Sequence, residues 1–253
     1  MNKPHYGIDA PPVIFQLVLA AIACLVAGVI SYKLLVSHHA NIAFILLISF
    51  LLNSGINFIF AILMLWSSLF GKLYMRDKMI DLLNLQGNEH VLDVGCGRGL
   101  LLIGVAKQLN PNGKVAGIDL WRHEDLSNNK ESQTRENARL AGVSDRVELI
   151  SGDMTKMQFN NNQFDAIVSS LAIHNVPTHE GRFKAMQEID RILKPGGRLI
   201  ILDFQHTRDY QQSLKQMGWA DVTLSRRYFI MFPPVRLIIG MKPQITALFQ
   251  SPT

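Results

Sequence analysis

Residues 91–99 have the sequence Val91-Leu92-Asp93-Val94-Gly95-Cys96-Gly97-Arg98-Gly99, in which a short apolar segment leads into a turn with three glycines. The residues that follow have the apolar pattern of a helix. Glycine adopts positive φ angles and has no Cβ, so such a turn lets the backbone approach a ligand closely. The first amide groups of a helix have no partner within that helix and are available to a ligand. The stretch therefore predicts a strand, a ligand-binding loop and a helix, in that order.

Asp93 narrows the kind of ligand that this loop would bind. It stands at the end of the predicted strand, where open parallel sheets bind their ligands, and its negative charge suits a cationic amine better than a phosphate. A dinucleotide-binding loop would have the spacing Gly-x-Gly-x-x-Gly, whereas Leu100 occupies the place of that third glycine. A tight connection that binds nothing would have the same local sequence, so the rest of the chain has to distinguish the two interpretations.

The composition argues against several classes of protein. The 253-residue chain has a formal charge of +5, but it contains no run of lysine or arginine and no interleaving of basic with aromatic residues. We therefore expect no nucleic-acid partner. The two cysteines, Cys24 and Cys96, lack the spacing of zinc ligands, so we expect neither a metal site nor a disulfide framework.

Two long apolar segments precede the glycine-rich loop. Residues 13–36 and 42–66 are each about 24 residues long, or roughly 36 Å as a helix, which is enough to cross a bilayer. They are joined by a short connection and so predict a helical hairpin. Lys33 is the one charged residue within them, and it lies close enough to a helix end to reach the headgroups. A signal peptide and a pair of buried core helices are the alternatives, and the length and low charge of the segments argue against both.

The distribution of positive charge predicts the orientation of this hairpin. Lys72, Arg76 and Lys78 follow the second apolar segment, whereas the connection at residues 37–41 contains no lysine or arginine. Cytoplasmic ends of membrane helices carry the excess of lysine and arginine. We therefore predict an integral membrane protein, with the lipid bilayer as a partner and with both termini and the domain that follows the hairpin on the cytoplasmic side.

The second apolar segment has a polar face. Ser49, Asn53 and Asn57 recur at intervals of four residues and so lie on one side of the helix. We interpret this face first as a packing surface with amide hydrogen bonds to the first helix. A homo-oligomer contact through the membrane helices, or a groove for a lipid headgroup, is the alternative.

Strand and helix patterns alternate after an amphipathic helix over residues 71–85, which we place at or near the membrane surface. The predicted strands are 91–94, 114–119, 147–150, 166–169 and 198–203, with helices at 100–109, 133–141 and 181–193 and a turn at 194–197. Looser patterns at 219–224 and 235–242 predict two last strands. Such alternation is typical of an open, mostly parallel sheet with helices on both faces. The predicted domains are a membrane hairpin (1–70), a linker helix (71–85) and an α/β domain (86–253).

Acidic residues stand at the carboxyl ends of three successive predicted strands, which meet at the ligand-binding edge of such a sheet. Asp93 ends the first strand, and Asp119 ends the second, where a carboxylate can bind both hydroxyls of a ribose. Asp153 and Met154 follow the third strand and suit the amine and one face of an adenine. A single carboxylate in such a place is usually a helix cap or a solvated turn residue, but three in succession favour one nucleoside-containing ligand.

Five motifs in this order resemble those of class I S-adenosylmethionine-dependent methyltransferases. They are residues 91–99, Gly117-Ile118-Asp119, Ser151-Gly152-Asp153-Met154, Phe164-Asp165-Ala166-Ile167-Val168-Ser169-Ser170 and Leu193-Lys194-Pro195-Gly196-Gly197-Arg198. The resemblance covers about residues 85 to 205 and implies an enzyme that uses S-adenosyl-L-methionine. The predicted fold class is then α/β, with a Rossmann-like, mostly parallel sheet of seven strands, one of them antiparallel and late in the chain, preceded by two transmembrane helices.

The resemblance also assigns cofactor-binding roles to individual residues. Asp93 and Gly95 would face the methionine part within the loop that Gly97 and Gly99 complete. The remaining roles are Asp119 for the ribose, Leu120 or Trp121 together with Met154 for the adenine faces, Asp153 for the adenine amine, and the Ser169 backbone carbonyl for the amino group.

Candidate catalytic residues follow the fourth and fifth predicted strands. A sulfonium methyl group is already activated, so the enzyme chiefly aligns the acceptor, and a general base is needed only when the acceptor has a proton to lose. His174 is the first candidate, with a structural role in its loop as the alternative. His206 and Tyr210 are second choices, and His123 and Asp125 could close the cofactor side.

The membrane hairpin bears on the identity of the acceptor. An enzyme tethered beside a bilayer meets a high local concentration of lipid-soluble acceptors. We therefore predict methyl transfer to a hydrophobic small molecule that partitions into the membrane, at the cytoplasmic face. Methylation of a membrane protein and a non-catalytic S-adenosylmethionine-binding membrane module are the alternatives. The sequence leaves open whether nitrogen, oxygen, sulfur or carbon receives the methyl group.

Overall fold

The computed structural model describes residues 3–122, 126 and 129–244 of the chain. These residues form two compact units: residues 8–72 together with 230–232 make up a helical unit, and the other described residues make up an α/β unit. Residues 3–7 belong to the α/β unit, and residues 230–232 belong to the helical unit.

The helical unit is an antiparallel pair of helices, α1 (Pro11–Leu35) and α2 (Ala40–Trp66). The Ser54 hydroxyl donates to the Ala21 carbonyl of the other helix at 2.8 Å. Gly28 of α1 lets the helices approach, because a Cβ at this position would lie 2.9 Å from the Phe50 Cβ of α2. Both predicted apolar segments are therefore helices, and a hydroxyl and small residues hold the two together.

The amides of α2 do not have the predicted role. Asn53 donates to the Ser49 carbonyl at 3.0 Å and Asn57 donates to the Asn53 carbonyl at 2.9 Å, so each amide bonds within its own helix. The prediction that these amides would bond across to α1 is wrong for both donated bonds. An asparagine side chain can donate to the carbonyl four residues before it in the same helix, and both amides form this local bond instead of a bond to α1.

A five-residue π-helical turn, Ser67–Gly71, ends the hairpin. Its Ser68 hydroxyl accepts from the Asp9 amide at 2.9 Å, and the Lys72 ammonium lies 3.1 Å from the Asp9 carboxylate. These bonds join the start of α1 to the end of α2. The same part of the unit includes residues 230–232: the Phe232 ring lies 5.2 Å from that of Phe60.

The α/β unit contains one seven-stranded sheet, in the order β3-β2-β1-β4-β5-β7-β6. Its strands are β1 (His90–Val94), β2 (Lys114–Asp119), β3 (Val147–Ser151), β4 (Phe164–Ser170), β5 (Leu193–Asp203), β6 (Val222–Leu224) and β7 (Arg236–Met241). Strands β1 to β5 are parallel, and β7 runs antiparallel to both of its neighbours. The predicted fold class, including the late antiparallel strand, is confirmed for this sheet.

The described helices of the α/β unit are α3 (Lys72–Leu83), α4 (Leu100–Ala106), α5 (Glu131–Leu140), α6 (His179–Ile192) and α7 (Thr207–Gln216). The central strands are apolar along most of their length because helices cover both faces of a parallel sheet. Leu199, Ile200, Ile201 and Leu202 of β5 are all buried, as this arrangement requires.

The predicted turn at residues 194–197 is wrong as a separate element. Strand β5 already begins at Leu193, which pairs with Phe164, and the pairing resumes at Arg198 with Ala166. The residues between them bulge out of the strand, with Gly196 at φ 76°. The proline and glycines therefore interrupt a strand here.

Candidate active site

The predicted cofactor site lies where the order of the sheet reverses. Strand β1 is flanked by β2 on one side and β4 on the other, and all three run in the same direction. After β2 the chain continues to β3 at one edge of the sheet, and after β4 it continues to β5 on the other side of β1. The connections thus diverge on either side of β1, which opens a crevice at its carboxyl end. The loop of residues 95–99 stands at this crevice.

The glycine loop has the backbone conformation that its sequence predicts. Gly95, Gly97 and Gly99 have φ angles of 75°, 50° and 81°. A Cβ at Gly95 would also overlap the Ala172 side chain in the loop that follows β4. Glycine is thus required at this position for two independent reasons, the positive φ and the close approach of a neighbouring strand end.

Two side chains of helix α5 donate hydrogen bonds to carbonyl groups of the glycine loop, a contact that was not predicted from the sequence. The Thr134 hydroxyl donates to the Gly97 carbonyl at 2.7 Å, and the Asn137 amide donates to the Arg98 carbonyl at 2.9 Å. Both side chains are fully buried. Asn137 also exchanges two bonds of 3.0 Å with the His5 backbone, so one side chain joins the loop to the N-terminal segment. A polar pair on the inner face of an otherwise charged helix is the signal that could have identified it.

Asp93 is the most unusual residue of the site. Its side chain is 1% exposed, and neither carboxyl oxygen has a well-aligned hydrogen-bond donor among the described residues. Burial raises the pKa of this carboxyl to about 8; the Leu102 amide opposes the rise and the Asp119 charge adds to it. A buried carboxyl with two unpartnered oxygens fits a cationic amine, because the amine would supply both the missing donors and the opposite charge.

Asp119 ties the end of β2 to the glycine loop. Its Oδ2 accepts from the Gly97 amide at 2.8 Å, and its Oδ1 accepts from the Trp121 amide at 2.6 Å and the Asn129 side chain at 3.3 Å. Each carboxylate oxygen has two lone pairs, so the residue keeps some capacity to bind hydroxyls. Its predicted contact with ribose stays a prediction.

The predicted adenine side of the site consists of exposed and partly exposed residues. Leu120 is 46% exposed, and the Trp121 indole donates to the Ser151 hydroxyl at 2.7 Å. Asp153 accepts from the amide and the hydroxyl of Thr155 at 2.8 and 2.9 Å. The Met154 methyl lies 3.7 Å from where a Gly95 Cβ would be, which brings this thioether beside the glycine loop.

Ser169 is buried at the end of β4, and its hydroxyl donates to the Val94 carbonyl at 2.8 Å. The bond joins β4 to β1 just below the glycine loop. It is the side chain of Ser169 that has this partner, and the assigned role of its backbone carbonyl stays a prediction. His123 and Asp125 lie outside the described residues.

The three catalytic candidates have different surroundings. The His174 Nδ1 lies 2.8 Å from the Asp203 Oδ1 at the end of β5. Tyr210 is fully buried, and its hydroxyl donates to the Asp203 Oδ2 at 3.4 Å. His206 directly precedes α7, and its Nδ1 lies 3.4 Å from the Asp209 carboxylate. Two of the three candidates, His174 and Tyr210, therefore meet at Asp203, a residue for which no role was predicted.

Cys96 lies in the glycine loop, in surroundings that disfavour its thiolate. Burial, with the neighbouring charges of Asp93 and Asp119, raises the pKa of the Cys96 thiol well above its usual value. A reactive cysteine needs its thiolate form.

S-adenosylmethionine fits this loop. The three glycines form a cradle without side chains, and the unpartnered Asp93 carboxyl lies beneath it. The methionine part of the molecule carries an ammonium group, which is the kind of partner that Asp93 lacks. The absent phosphate-binding spacing is consistent with a cofactor that has no phosphate.

Comparisons with known proteins agree with this fit. A family model described as a methyltransferase domain matches residues 85–226, more than half of the chain. Among solved structures, an S-adenosylmethionine-dependent methyltransferase from Aquifex aeolicus has a TM-score of 0.53 at 21% identity, over 67% of this chain and 90% of that one. The cyclase SpnF has a TM-score of 0.56 at 20% identity, over 68% and 81%. These two likenesses establish the fold.

Three relatives are similar in sequence. Sterol 4-C-methyltransferase of Caenorhabditis elegans is 32% identical over 53% of this chain and 36% of its own length. Demethylmenaquinone methyltransferase of Lactobacillus johnsonii is 28% identical over 65% and 60%. The chloroplastic 2-phytyl-1,4-beta-naphthoquinone methyltransferase of Arabidopsis thaliana is 33% identical over 52% and 47%. The chain thus spans between about a third and two thirds of these proteins. The chain belongs to this methyltransferase family, and its sheet has the fold of an S-adenosylmethionine-dependent methyltransferase.

Proposed function

We propose that this enzyme transfers a methyl group from S-adenosylmethionine to a hydrophobic small molecule that partitions into a membrane. The observation that carries the proposal is the helical hairpin, whose large apolar side chains point outward on the same chain as the methyltransferase domain. The names of three relatives support the choice of acceptor, because a sterol, demethylmenaquinone and a phytyl naphthoquinone are all lipid-soluble small molecules.

The exposure of the hairpin side chains supports insertion into a bilayer. Two helical stretches, Pro11–Leu35 and Ala40–Leu83, are long and apolar enough to cross one, and 11% and 6% of their most apolar windows are buried. Core helices of a soluble protein would be mostly buried. Here Phe15, Leu34, Ile45 and Leu52 are each more than 60% exposed, an arrangement that water would disfavour strongly.

The charges at the ends of the hairpin support the predicted orientation. Lys72 follows α2, is 6% exposed and forms an ion pair with Asp9, which precedes α1. The start of α1 and the end of α2 therefore lie together at the charged end of the hairpin. Arg76 and Lys78 follow directly. We propose that this end is cytoplasmic and that the methyltransferase domain is held at the cytoplasmic face.

We also propose that the polar face of α2 contacts a second copy of the chain. Ser49, Asn53 and Gly55 are exposed, and no described atom lies within 4 Å of the Cβ position of Gly55. Exposed amides in a bilayer gain from a partner that supplies hydrogen bonds. A symmetric pairing of two α2 helices would bring identical amides together.

Transfer of labelled methyl groups tests the proposed reaction. Membranes that contain the overproduced protein are incubated with methyl-labelled S-adenosylmethionine and then separated into an organic extract and a protein pellet. We expect the label in the organic extract. Label in the protein pellet would instead support a membrane-protein acceptor, and label in neither fraction would support a binding module without turnover. Asp93→Asn is the matched variant and should leave both fractions unlabelled.

A further inference from the structure

We propose that His174 is the general base of this methyltransferase, that Asp203 is its positioning residue, and that the acceptor carries a phenol-type or enol-type hydroxyl group. The inference rests on the proposed function and narrows its acceptor class. It also narrows the atom that receives the methyl group to an oxygen or to a conjugated carbon.

The geometry around Asp203 carries the proposal. The carboxyl is fully buried at the end of β5. Its Oδ1 lies 2.8 Å from the His174 Nδ1 and accepts from the Phe204 amide, also at 2.8 Å. Its Oδ2 lies 3.3 Å from the His174 amide and 3.4 Å from the Tyr210 hydroxyl, both of which donate to it. One carboxyl thus accepts a hydrogen bond from the backbone of His174 and lies 2.8 Å from the ring of the same residue.

The position of Asp203 favours a hydrogen on Nδ1. The Asp203 Oδ1 lies 2.8 Å from this nitrogen, although a hydrogen on the ring is not aligned with it as a hydrogen bond requires. A carboxylate oxygen has no hydrogen to donate, so the neutral imidazole is more stable with its hydrogen on the nitrogen that faces the carboxylate. In that tautomer the lone pair resides on Nε2. A nitrogen with an unused lone pair is what a general base requires.

Packing limits the movement of the imidazole. The Phe204 ring meets it edge to face at a centroid distance of 4.6 Å, and the side chain of His174 is 15% exposed. Arg182 of α6 donates to the Val176 carbonyl at 2.8 Å and to the Pro177 carbonyl at 3.2 Å, which holds the end of the loop that carries His174. Most of the imidazole is therefore enclosed.

The charged and titratable groups around His174 come from three elements. Asp203 ends β5, Tyr210 lies on α7 and Arg182 lies on α6. Burial and the Asp203 charge both raise the pKa of Tyr210, so this hydroxyl stays neutral and acts as a donor to the carboxylate. Once His174 has taken a proton, the carboxylate stabilises the imidazolium.

The position of His174 relative to the cofactor loop follows from the strands. Its turn, Ile173–Asn175, comes directly after Ala172, which occupies the space beside Gly95. Strand β4 lies between β1, which carries the cofactor loop, and β5, which carries Asp203. A molecule bound above the end of β4 would meet both the cofactor and His174.

The chemistry that suits this base is removal of a hydroxyl proton. His174 Nε2 takes the proton of the acceptor hydroxyl, and the electron pair left on oxygen, or on a conjugated ring carbon, forms the new bond to carbon. When bound, S-adenosylmethionine supplies a methyl group whose carbon–sulfur bond breaks toward sulfur and leaves a neutral thioether. His174 then releases the proton to water. A neutral amine already has a lone pair for the attack and needs no such base beforehand.

Nitrogen NMR of the protein labelled in its histidines tests the positioning role without any acceptor. The protein is studied in lipid nanodiscs, and the His174 signals are assigned by their loss in His174→Gln. We expect neutral His174 with its hydrogen on Nδ1, and we expect Asp203→Asn to shift the hydrogen toward Nε2. Hydrogen on Nε2 in the wild type, or no change in Asp203→Asn, would overturn the proposal.

Methyl transfer tests the catalytic role in the same membranes that test the proposed function. At saturating S-adenosylmethionine, His174→Gln should lower the rate of labelling at least 100-fold and remove its fall at acidic pH, while the thermal shift with S-adenosylmethionine stays the same. Asp203→Asn should lower the rate less. The matched control His179→Gln alters an exposed histidine and should keep the wild-type rate and pH profile.

The labelled product tests the acceptor class. A new methoxy group, or a methyl group on the ring carbon beside a hydroxyl, supports the proposal, and a methylated amine overturns it. A wild-type rate in His174→Gln overturns it as well. If the wild type itself labels nothing, the proposed function fails, whereas the NMR result still decides whether Asp203 positions His174.

Discussion

The Asp119 carboxylate at the end of β2 accepts a hydrogen bond of 2.8 Å from the Gly97 amide, in the loop after β1. The residue predicted to bind ribose therefore also fixes the loop predicted to bind the methionine part. A hydrogen bond thus joins the two halves of the predicted cofactor site, so a change in either half should affect binding of the whole cofactor.

Asp119→Asn should weaken S-adenosylmethionine binding about 10- to 100-fold, because the amide has one accepting oxygen where the carboxylate has two. Titration calorimetry measures this affinity. Asp145→Asn is the matched control, since Asp145 has a side chain 65% exposed and should keep the wild-type affinity. Equal affinities of Asp119→Asn and the wild type would contradict the role of Asp119.

Asp93 should make folding stability depend on pH in a particular direction. Burial raises its pKa from 3.8 to about 8, so between these values the folded protein holds a proton that the unfolded chain has lost. The free energy of unfolding should then fall as the pH rises through this window. The Tm of ligand-free Asp93→Asn, relative to the wild type, should increase from about pH 4 to about pH 8 and then level off. A constant difference would argue against a protonated Asp93.

Gly95→Ala should lower the free energy of unfolding much more than Gly142→Ala, although the two glycines have similar φ angles. Gly142 has φ 70° with open space around its Cβ position, so Gly142→Ala should cost about 1 kcal/mol. Gly95→Ala has the same backbone cost and in addition overlaps Ala172, and we expect about 3 kcal/mol or more and the loss of S-adenosylmethionine binding. Thermal unfolding with and without the cofactor measures both effects. Similar losses in the two variants would contradict the close approach of Ala172.

The proposed orientation of the hairpin is testable with single cysteines. In a Cys24→Ala background, His38→Cys lies between the two apolar helices and Asn112→Cys lies in the α/β unit; both positions are exposed. A maleimide that cannot cross membranes should label His38→Cys in intact cells and Asn112→Cys only after the cells are opened. Labelling of both positions in intact cells, or of neither, would contradict this orientation.

The sequence was sufficient for the parts of the molecule that depend on local patterns. The strand and loop around Asp93, the carboxylate at Asp119 and both apolar helices could be predicted because each is encoded in consecutive residues. The common location of the acidic residues followed from one rule, that parallel strands end at the same edge of a sheet.

The missed features all join residues that are distant in the chain. Asp203 is 29 residues from His174, and they meet only because β4 and β5 are neighbours in the sheet. Thr134 supports Gly97 from 37 residues away. Residues 230–232 join the helical unit across an even longer separation, which no periodic pattern indicates.

The most direct test of the proposed function is the destination of the methyl group. Membranes with the wild-type protein and labelled S-adenosylmethionine should transfer label to a lipid-soluble small molecule in the organic extract, and membranes with Asp93→Asn should not. Label that remains wholly in the protein pellet, or an organic extract equally labelled in both membranes, would contradict a hydrophobic small-molecule acceptor for this enzyme.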